Sequence, residues 1–136
     1  MHMKGTPKNM QKNPTYKNVV EEIINYFQKK IRALNNLNIN KLIIDPGFGF
    51  GKTLDHNYEI LNNLEKFKCL KYPILAGLSR KSMICKILDI EANHALNGTS
   101  VVNTMALNKG ANILRVHDVK EAIECIKITN FAKNKL

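Results

Sequence analysis

Residues 41–53 read Lys-Leu-Ile-Ile-Asp-Pro-Gly-Phe-Gly-Phe-Gly-Lys-Thr, and the interpretation of the whole chain starts from this stretch. The apolar run at 42–45 predicts a short buried strand that ends in one acidic residue. Pro46 ends the strand, because proline has no N–H group to donate. Three glycines follow at alternate positions, where they permit positive φ and close approach of a ligand. An acid at the carboxyl end of a buried strand, followed by a glycine loop, indicates a ligand site in an α/β protein.

Two nucleotide-binding motifs come close to this stretch, and both fail on spacing. A Walker A loop would need glycine where the chain has Pro46, and a dinucleotide-binding G-x-G-x-x-G would need glycine in place of Lys52. Thr53 is placed to cap a helix that begins at Leu54. A glycine turn that only packs a helix against a strand remains open as the plainer interpretation of this segment.

The composition of the 136 residues indicates one domain, residues 1–136, with 44% hydrophobic residues available for a core. The sequence has no apolar run of membrane-spanning length, no signal-peptide pattern and no paired cysteine spacing, so we expect a cytoplasmic protein. A net charge of +10 suggests nucleic-acid binding. However, the charge is nearly all lysine and is spread along the chain. A solvated lysine surface is therefore preferred, with neither nucleic acid nor membrane as a partner.

Hydrophobic periodicity predicts alternating helices and strands along the chain. Helices are expected at residues 16–37, 54–67, 83–88 and 95–108, and in a last segment that starts at residue 119. Two further buried strands are expected at 73–78 and 112–116. Thr15 and Asp118 are the predicted N-caps of the first and last helices, and Gly110 is expected to end the helix before the third strand. This alternation predicts parallel strands that are covered on both faces.

Three polar loops are then expected at one edge of the sheet, because the carboxyl ends of parallel strands meet there. They are the glycine loop after Asp45, the Ser-Arg-Lys-Ser segment at 79–82, and Arg-Val-His at 115–117. A guanidinium fork, a histidine and a helix N-terminus all suit anionic oxygens. The buried carboxylate needs N–H donors, which a heterocycle can supply. Ordinary capping and surface charge are the plainer interpretations of each loop taken alone. Surface positions without a role are expected for His2, His56 and His94.

Four segments together resemble the ordered motifs of dihydropteroate synthase. They are residues 1–5 (Met-His-Met-Lys-Gly), 45–52 (Asp-Pro-Gly-Phe-Gly-Phe-Gly-Lys), 77–82 (Gly-Leu-Ser-Arg-Lys-Ser) and 115–119 (Arg-Val-His-Asp-Val). The resemblance implies an α/β fold, the TIM (β/α)8 barrel, and a transferase of folate biosynthesis. That enzyme family condenses 6-hydroxymethyl-7,8-dihydropterin pyrophosphate with p-aminobenzoate, giving dihydropteroate and pyrophosphate, with Mg²⁺. The chain resembles only the C-terminal half of such a barrel, with three clear parallel strands and, at residues 1–3, a candidate tail of a fourth.

The resemblance also implies roles for individual side chains. The residues that match the pterin site are Asp45 and Lys81. The residues that match the pyrophosphate site are Arg115, Val116 and His117. The residues that match the p-aminobenzoate site are Phe50, Arg80 and Ser82. No acid, base or nucleophile is assigned in this half, because the implied reaction is dissociative: pyrophosphate leaves before the amine attacks. No Mg²⁺ ligand is assigned either, because the family loops that complete that site have no counterpart in this sequence.

The length of the chain gives the last expectation. A TIM barrel needs eight strands and typically ~250 residues, so the chain is expected to be truncated at its N-terminus. By itself it is expected to be inactive and either poorly folded or self-associated, whereas the full-length protein is expected to be a homodimer. Two alternatives remain open: a pterin-binding methyl-transfer domain, and a basic nucleic-acid-binding module whose affinity would depend steeply on salt.

Overall fold

The computed structural model describes residues 1–135, which form α-helices and 3-10 helices around a small parallel sheet. The α-helices are α1 (Val19–Asn35), α2 (Leu54–Asn62), α3 (Ser82–Leu88), α4 (Leu96–Asn108) and α5 (Val119–Lys133). The 3-10 helices are Leu64–Leu70 and Ala92–His94. The strands are β1 (Leu75–Ala76) and β2 (Ile113–Leu114). Helices and extended segments alternate along the chain, as the periodicity predicts.

The sheet is shorter than predicted. β1 pairs with β2 in parallel, and Ile44 forms a single parallel bridge with Ile74. The parallel arrangement is thus confirmed, but the predicted strand at 42–45 contributes only this bridge. The backbone N–H of His2 donates to the Asp45 carbonyl at 3.0 Å, so residues 1–3 lie on the far side of residues 42–45 from β1. The ladder cannot continue past Asp45, because the next residue is a proline with no N–H group.

The core lies between the sheet and the helices α1, α2 and Leu64–Leu70. Its large side chains are at most 2% exposed and include Ile23, Ile44, Phe48, Ile60, Phe67, Ile74 and Leu78. Phe48 belongs to the glycine loop, so this loop is tied directly into the core. The prediction that the strands are covered on both faces is wrong for Ile43, which is 54% exposed. No helix of the described residues covers that side chain.

Two of the predicted helix caps differ from the structure. The Thr53 cap is confirmed: its hydroxyl accepts the His56 N–H, and the His56 ring accepts the Thr53 N–H, each at 3.2 Å. The Thr15 cap is wrong, because α1 begins after Asn18, whose side chain accepts a backbone N–H of the first turn. The Asp118 cap is also wrong: α5 begins after this residue, but its side chain makes no capping bond.

Apolar side chains also remain on the outer faces of the helices. On α5 they are Val119, Ile123, Ile128 and Phe131, which are between 45% and 71% exposed. Phe131 and Ile128 lie near the C-terminal end of the helix. Within residues 1–135, none of the helices combines the length and the apolar character that crossing a bilayer requires.

Candidate ligand-binding site at the carboxyl edge of the sheet

The three polar loops meet at the carboxyl edge of the sheet, as predicted. A Cβ atom placed on Gly49 would lie 3.5 Å from the Lys81 ammonium, which brings the first loop against the second. A Cβ atom on Gly77 would lie 2.9 Å from Nη2 of Arg115, which brings the second against the third. Gly77 therefore leaves room for the guanidinium to lie against the backbone. The result is one acid, Asp45, among several cations.

The glycine loop is packed from behind by the N-terminal segment of the chain. Gly47 and Gly51 have positive φ angles of 73° and 66°. A Cβ atom at Gly47 would lie 1.9 Å from the carbonyl oxygen of His2, and one at Gly51 would lie 2.4 Å from that of Lys4. These two glycines are therefore required by the chain's own backbone. Gly49, in contrast, faces a lysine side chain and has only ordinary van der Waals contact.

Lys52 fills the interior of the glycine loop and is 3% exposed. Its ammonium donates to the carbonyl oxygens of Gly47 at 2.8 Å and Phe50 at 3.0 Å, and it lies 3.1 Å from Nδ1 of His2. Burial lowers the pKa of Lys52 to about 7, and the positive charge of Lys81 adds to this effect while Asp45 opposes it. The ammonium therefore joins both ends of the loop to the N-terminal segment.

His2 is buried, so the prediction that it lies at the surface is wrong. Its burial and the nearby Lys52 together lower its pKa to about 4. Its neutral ring stacks edge-on against Tyr26, with the ring centroids 5.0 Å apart. One signal in the sequence pointed to this position. In a strand tail at residues 1–3, the middle side chain faces the opposite way from its two neighbours.

Asp45 and Lys81 both contact the backbone of the glycine loop and lie close enough for their charges to interact. The Asp45 carboxylate is half-buried, and its Oδ1 accepts the Gly47 N–H at 2.8 Å. Within residues 1–135, Oδ2 receives no hydrogen bond from another side chain or from the backbone. The Lys81 ammonium donates to the Phe48 carbonyl and lies 4.6 Å from the centroid of the Phe50 ring. Burial lowers the pKa of Lys81 to about 8; Arg115 lowers it further and Asp45 raises it.

The second and third loops are joined by two polar contacts. The Ser79 hydroxyl lies 2.8 Å from Nδ1 of His117 and accepts the backbone N–H of the same histidine at 3.2 Å. The Arg80 guanidinium donates to both carboxylate oxygens of Asp118, at 3.0 and 2.6 Å. The bonds from Arg80 lower the pKa of Asp118. This ion pair explains why Asp118 does not cap α5.

A cavity of about 250 Å³ opens between the glycine loop and the first turn of α3. Its lining includes Gly49, Lys52, Asn57 and Ser82. Asn57 fixes this wall, because its side chain accepts the Gly49 N–H at 2.7 Å and donates to the Thr53 carbonyl at 2.6 Å. The edge therefore combines a carboxylate with an unused oxygen, a lysine over an aromatic ring, and an exposed Arg-His pair, with a cavity on the side of the glycine loop that faces α3.

Comparison with known proteins identifies this arrangement. Residues 1–117 match the family described as "Pterin binding enzyme". The chain belongs to the pterin-binding enzyme family. It is 45% identical over 136 residues to dihydropteroate synthase of Haemophilus influenzae, covering 98% of this chain and 50% of the relative. The Escherichia coli dihydropteroate synthase is 44% identical over 130 residues, covering 94% of this chain and 46% of the relative.

Solved structures agree with the sequence relatives. The Yersinia pestis dihydropteroate synthase with a sulfonamide drug complex has a TM-score of 0.97 and is 40% identical, covering 99% of this chain and 50% of that one. Dihydropteroate synthase from Thermus thermophilus in complex with 6HMPPP has a TM-score of 0.90 and is 32% identical, covering 95% of this chain and 52% of that one. The resemblance inferred from the four motifs is confirmed. The chain spans about half the length of the relatives it matches.

Each site residue implied by the resemblance lies at or beside this edge of the pterin-binding fold. Asp45 and Lys81 form the enclosed part. Arg115 and His117 are exposed, with Val116 half-buried between them. Of the remaining three residues, Ser82 lines the cavity, the Phe50 ring lies under the Lys81 ammonium, and Arg80 is bound to Asp118. Their individual roles stay predictions. Lys52 and Ser79 lie in the predicted loops, but the sequence analysis gave them no role of their own. Their contacts are with residues far along the chain, which local sequence patterns do not reveal.

Magnesium, which the family resemblance implies, finds no ready-made set of ligands in the part of the chain that the structure describes. Within residues 1–135, no three His, Cys, Asp or Glu side chains come together as ligands for a metal ion. Asp45 is the one acid among residues 1–135 that raises the pKa values of Lys52 and Lys81 at the enclosed end. The donor set therefore does not fit a divalent cation, and no chemical step below passes through one.

Proposed function

We propose that this chain forms the C-terminal half of a dihydropteroate synthase barrel of the TIM (β/α)8 type. Such an enzyme condenses 6-hydroxymethyl-7,8-dihydropterin pyrophosphate with p-aminobenzoate to give dihydropteroate and pyrophosphate. The observation that carries the proposal is the placement of Asp45, whose Oδ2 is unused, near the half-buried Lys81, whose pKa it raises. This pair lies beside the Arg-His loop, so a heterocycle and a phosphate group would be held by adjoining elements.

The enclosed end is suited to a pterin ring. A carboxylate that keeps an acceptor free at the end of a strand can take adjacent N–H donors from an aminopyrimidine edge. Lys81 adds a donor on the opposite side of the ligand. Its half-buried position favours contact with a ring oxygen or nitrogen over an exposed ion pair. Because the glycine loop is fixed by Lys52, the Asp45 oxygen is already in place before a ligand arrives.

The exposed end is suited to the leaving group. In the reaction the bond between the pterin methylene carbon and the pyrophosphate oxygen breaks, and the electron pair leaves with the pyrophosphate. The aminobenzoate nitrogen then attacks the methylene carbon and loses a proton. Arg115 and His117 can donate hydrogen bonds to the oxygens on which negative charge develops. Val116 would hold these two side chains on the same side of the strand.

The aminobenzoate would lie between the two ends, at the cavity. The Phe50 ring under the Lys81 ammonium supplies an aromatic wall. Arg80 is held by Asp118 and would flank the ligand. Ser82 is the first residue of α3, and its hydroxyl is suited to the ligand carboxylate. These three assignments rest on position and residue type.

The missing half of the barrel would complete this chain. It would cover Ile43 and the apolar groove beside Met1, and it would supply the rest of the pyrophosphate and Mg²⁺ sites. The exposed apolar side chains of α5, such as Ile128, suit a homodimer of the complete protein. We place that protein in the cytoplasm, where its small-molecule substrates would be made. Neither a membrane nor a nucleic acid is a proposed partner.

The experiment is a chimera in which the N-terminal half of the Haemophilus influenzae relative precedes Met1 of this chain. The chimera should form dihydropteroate from the two substrates with Mg²⁺, whereas the 136-residue chain alone should not. In the chimera, Asp45→Ala and Lys81→Ala should each weaken binding of a pterin pyrophosphate by ~2–3 kcal/mol, because each removes a charged hydrogen-bonding partner. Isothermal calorimetry measures this loss.

Lys127→Ala is the matched control, because Lys127 is an exposed lysine in the second half of α5, ten positions after His117. Its affinity should equal that of the parent chimera. Unchanged affinity in both site variants would contradict the assignment of the pterin site. A chimera that binds the pterin but forms no dihydropteroate, while the unaltered relative does, would contradict the synthase activity itself.

A further inference from the structure

The Ser79 hydroxyl lies beneath the exposed ring of His117. Ser79 is 5% exposed and lies three residues after the end of β1, and His117 lies three residues after the end of β2. The hydroxyl oxygen makes two contacts with this histidine, one with its backbone N–H at 3.2 Å and one with ring Nδ1 at 2.8 Å. The Ser79 hydroxyl therefore contacts both the backbone and the ring of His117.

The two contacts determine which atom carries each proton. The backbone N–H can only donate, so the Ser79 oxygen accepts there. The hydroxyl proton must then go to an acceptor, because a buried hydroxyl that fails to donate is costly. Within residues 1–135, the acceptor in reach of this hydroxyl is Nδ1 of His117. A neutral imidazole that accepts at Nδ1 carries its proton on Nε2.

We propose that Ser79 is a positioning residue that holds neutral His117 in the Nε2–H tautomer and fixes the direction of its ring. Nε2 has no hydrogen-bond partner among residues 1–135, so its N–H remains available as a donor. A fixed N–H donor beside the Arg115 guanidinium suits a di- or triphosphate-like anion. The anion-binding part of this inference rests on the proposed function, in which the anion is pyrophosphate. The opposite tautomer would turn a lone pair towards the anion.

The test uses the chimera labelled with ¹⁵N at its histidine rings. Long-range ¹H–¹⁵N correlations distinguish the two tautomers, and a His117→Asn variant identifies the signal. The spectra are recorded about two pH units above the ordinary histidine pKa of ~6.5, where the ring is neutral. His117 should carry its proton on Nε2, with the Nδ1 resonance shifted as expected for a hydrogen-bond acceptor. Inorganic pyrophosphate should then perturb the Nε2–H signal.

Three variants separate positioning from general packing. In Ser79→Ala, the Nδ1 resonance should move to the position of a ring without a hydrogen bond, and pyrophosphate affinity should fall about five-fold, as loss of one ordinary hydrogen bond predicts. Ser79→Thr keeps the hydroxyl and should restore both. Ser100→Ala removes a hydroxyl that bonds within α4 and should change neither.

The outcomes distinguish this inference from the proposed function. A proton on Nδ1, freely averaging tautomers, or an Nδ1 signal unchanged by Ser79→Ala would overturn the positioning role. An Nε2–H tautomer that responds to Ser79→Ala as described supports it. If that tautomer is present and pyrophosphate perturbs nothing, the positioning role stands and the anion-binding part of the proposed function fails.

Discussion

The two ends of the candidate site are built in different ways. At the glycine loop, which forms the enclosed end, other parts of the chain hold the backbone in place. Lys52 donates to the Gly47 and Phe50 carbonyls, and the N-terminal segment packs against the back of the loop. At the Arg-His loop, Arg115 and His117 are exposed and are held chiefly by Ser79 and the space over Gly77. The enclosed end can be rigid without a ligand. The exposed end depends on contacts that these residues alone do not supply.

The largest effect is expected where the enclosed end has no space. Gly47→Ala should lower the free energy of unfolding by roughly 4 kcal/mol or more, the size reached when backbone strain combines with overpacking. The new Cβ would lie 1.9 Å from a backbone oxygen, at a φ of 73°. Urea unfolding of the chimera, followed by circular dichroism, measures the loss.

Gly49→Ala is the matched control for this prediction. Its φ of 82° carries a similar backbone cost, but its Cβ would lie 3.5 Å from the nearest atom. We expect a loss of only about 1 kcal/mol, since left-handed backbone strain acts alone there. Equal losses in the two variants would show that the N-terminal segment does not pack behind the loop as described.

The second prediction removes the ammonium from the interior of the loop. Lys52→Met should lower the free energy of unfolding by about 2–3 kcal/mol at pH 7, because the Phe50 carbonyl loses its ammonium donor and the Gly47 carbonyl keeps only the Phe50 N–H. The same unfolding measurement applies, with Lys120→Met as the exposed control. A variant as stable as its parent would indicate that the loop keeps its shape without Lys52, and that the enclosed end is not fixed from inside.

The third prediction concerns the pH dependence that His2 contributes. The pKa of His2 is lowered to about 4 in the folded protein, from an ordinary value of 6.5. Between these pH values the unfolded chain binds a proton that the folded chain does not, so stability rises with pH from about 4 to 6.5. One pKa unit corresponds to ~1.4 kcal/mol, so the full difference between the two pKa values would contribute at most about 3.5 kcal/mol. We expect about 2 kcal/mol over this window, because solvent partly screens the neighbouring charges.

Two histidine variants isolate the contribution of His2 to the pH dependence of stability. His2→Asn keeps a polar side chain of similar shape and should flatten the stability profile between pH 4 and 6.5. His94→Asn replaces an exposed histidine and should leave the profile as it is. Carboxylates such as Glu22 titrate in both variants and cancel. A profile unchanged by His2→Asn would mean that its ring is not held neutral.

The contrast between local and long-range contacts also explains which features could be predicted from the sequence. The position of Asp45 at a strand end, the glycine loop and the convergence of the three loops follow from local patterns, and the structure bears them out. The partnership of His2 with Lys52 spans fifty positions of the chain, so no local pattern reveals it. Asp118 could cap a helix or bind Arg80, and only the folded chain decides between them. Residues 42–45 look fully buried by composition, although Ile43 is exposed on one face.

The smallest effect is expected at the exposed end, where one guanidinium is exchanged for an ammonium. Arg115→Lys should weaken binding of a pterin pyrophosphate to the chimera by about 1–2 kcal/mol, because lysine keeps the charge but loses the two-pronged donor geometry. Binding of the same pterin without phosphates should change little, since the enclosed end is untouched. Arg32→Lys, at an exposed arginine on α1, serves as the control. Calorimetry with both ligands gives the two affinities. An equal loss for both would place Arg115 at the pterin ring, and the division of the site into an enclosed and an exposed end would fail.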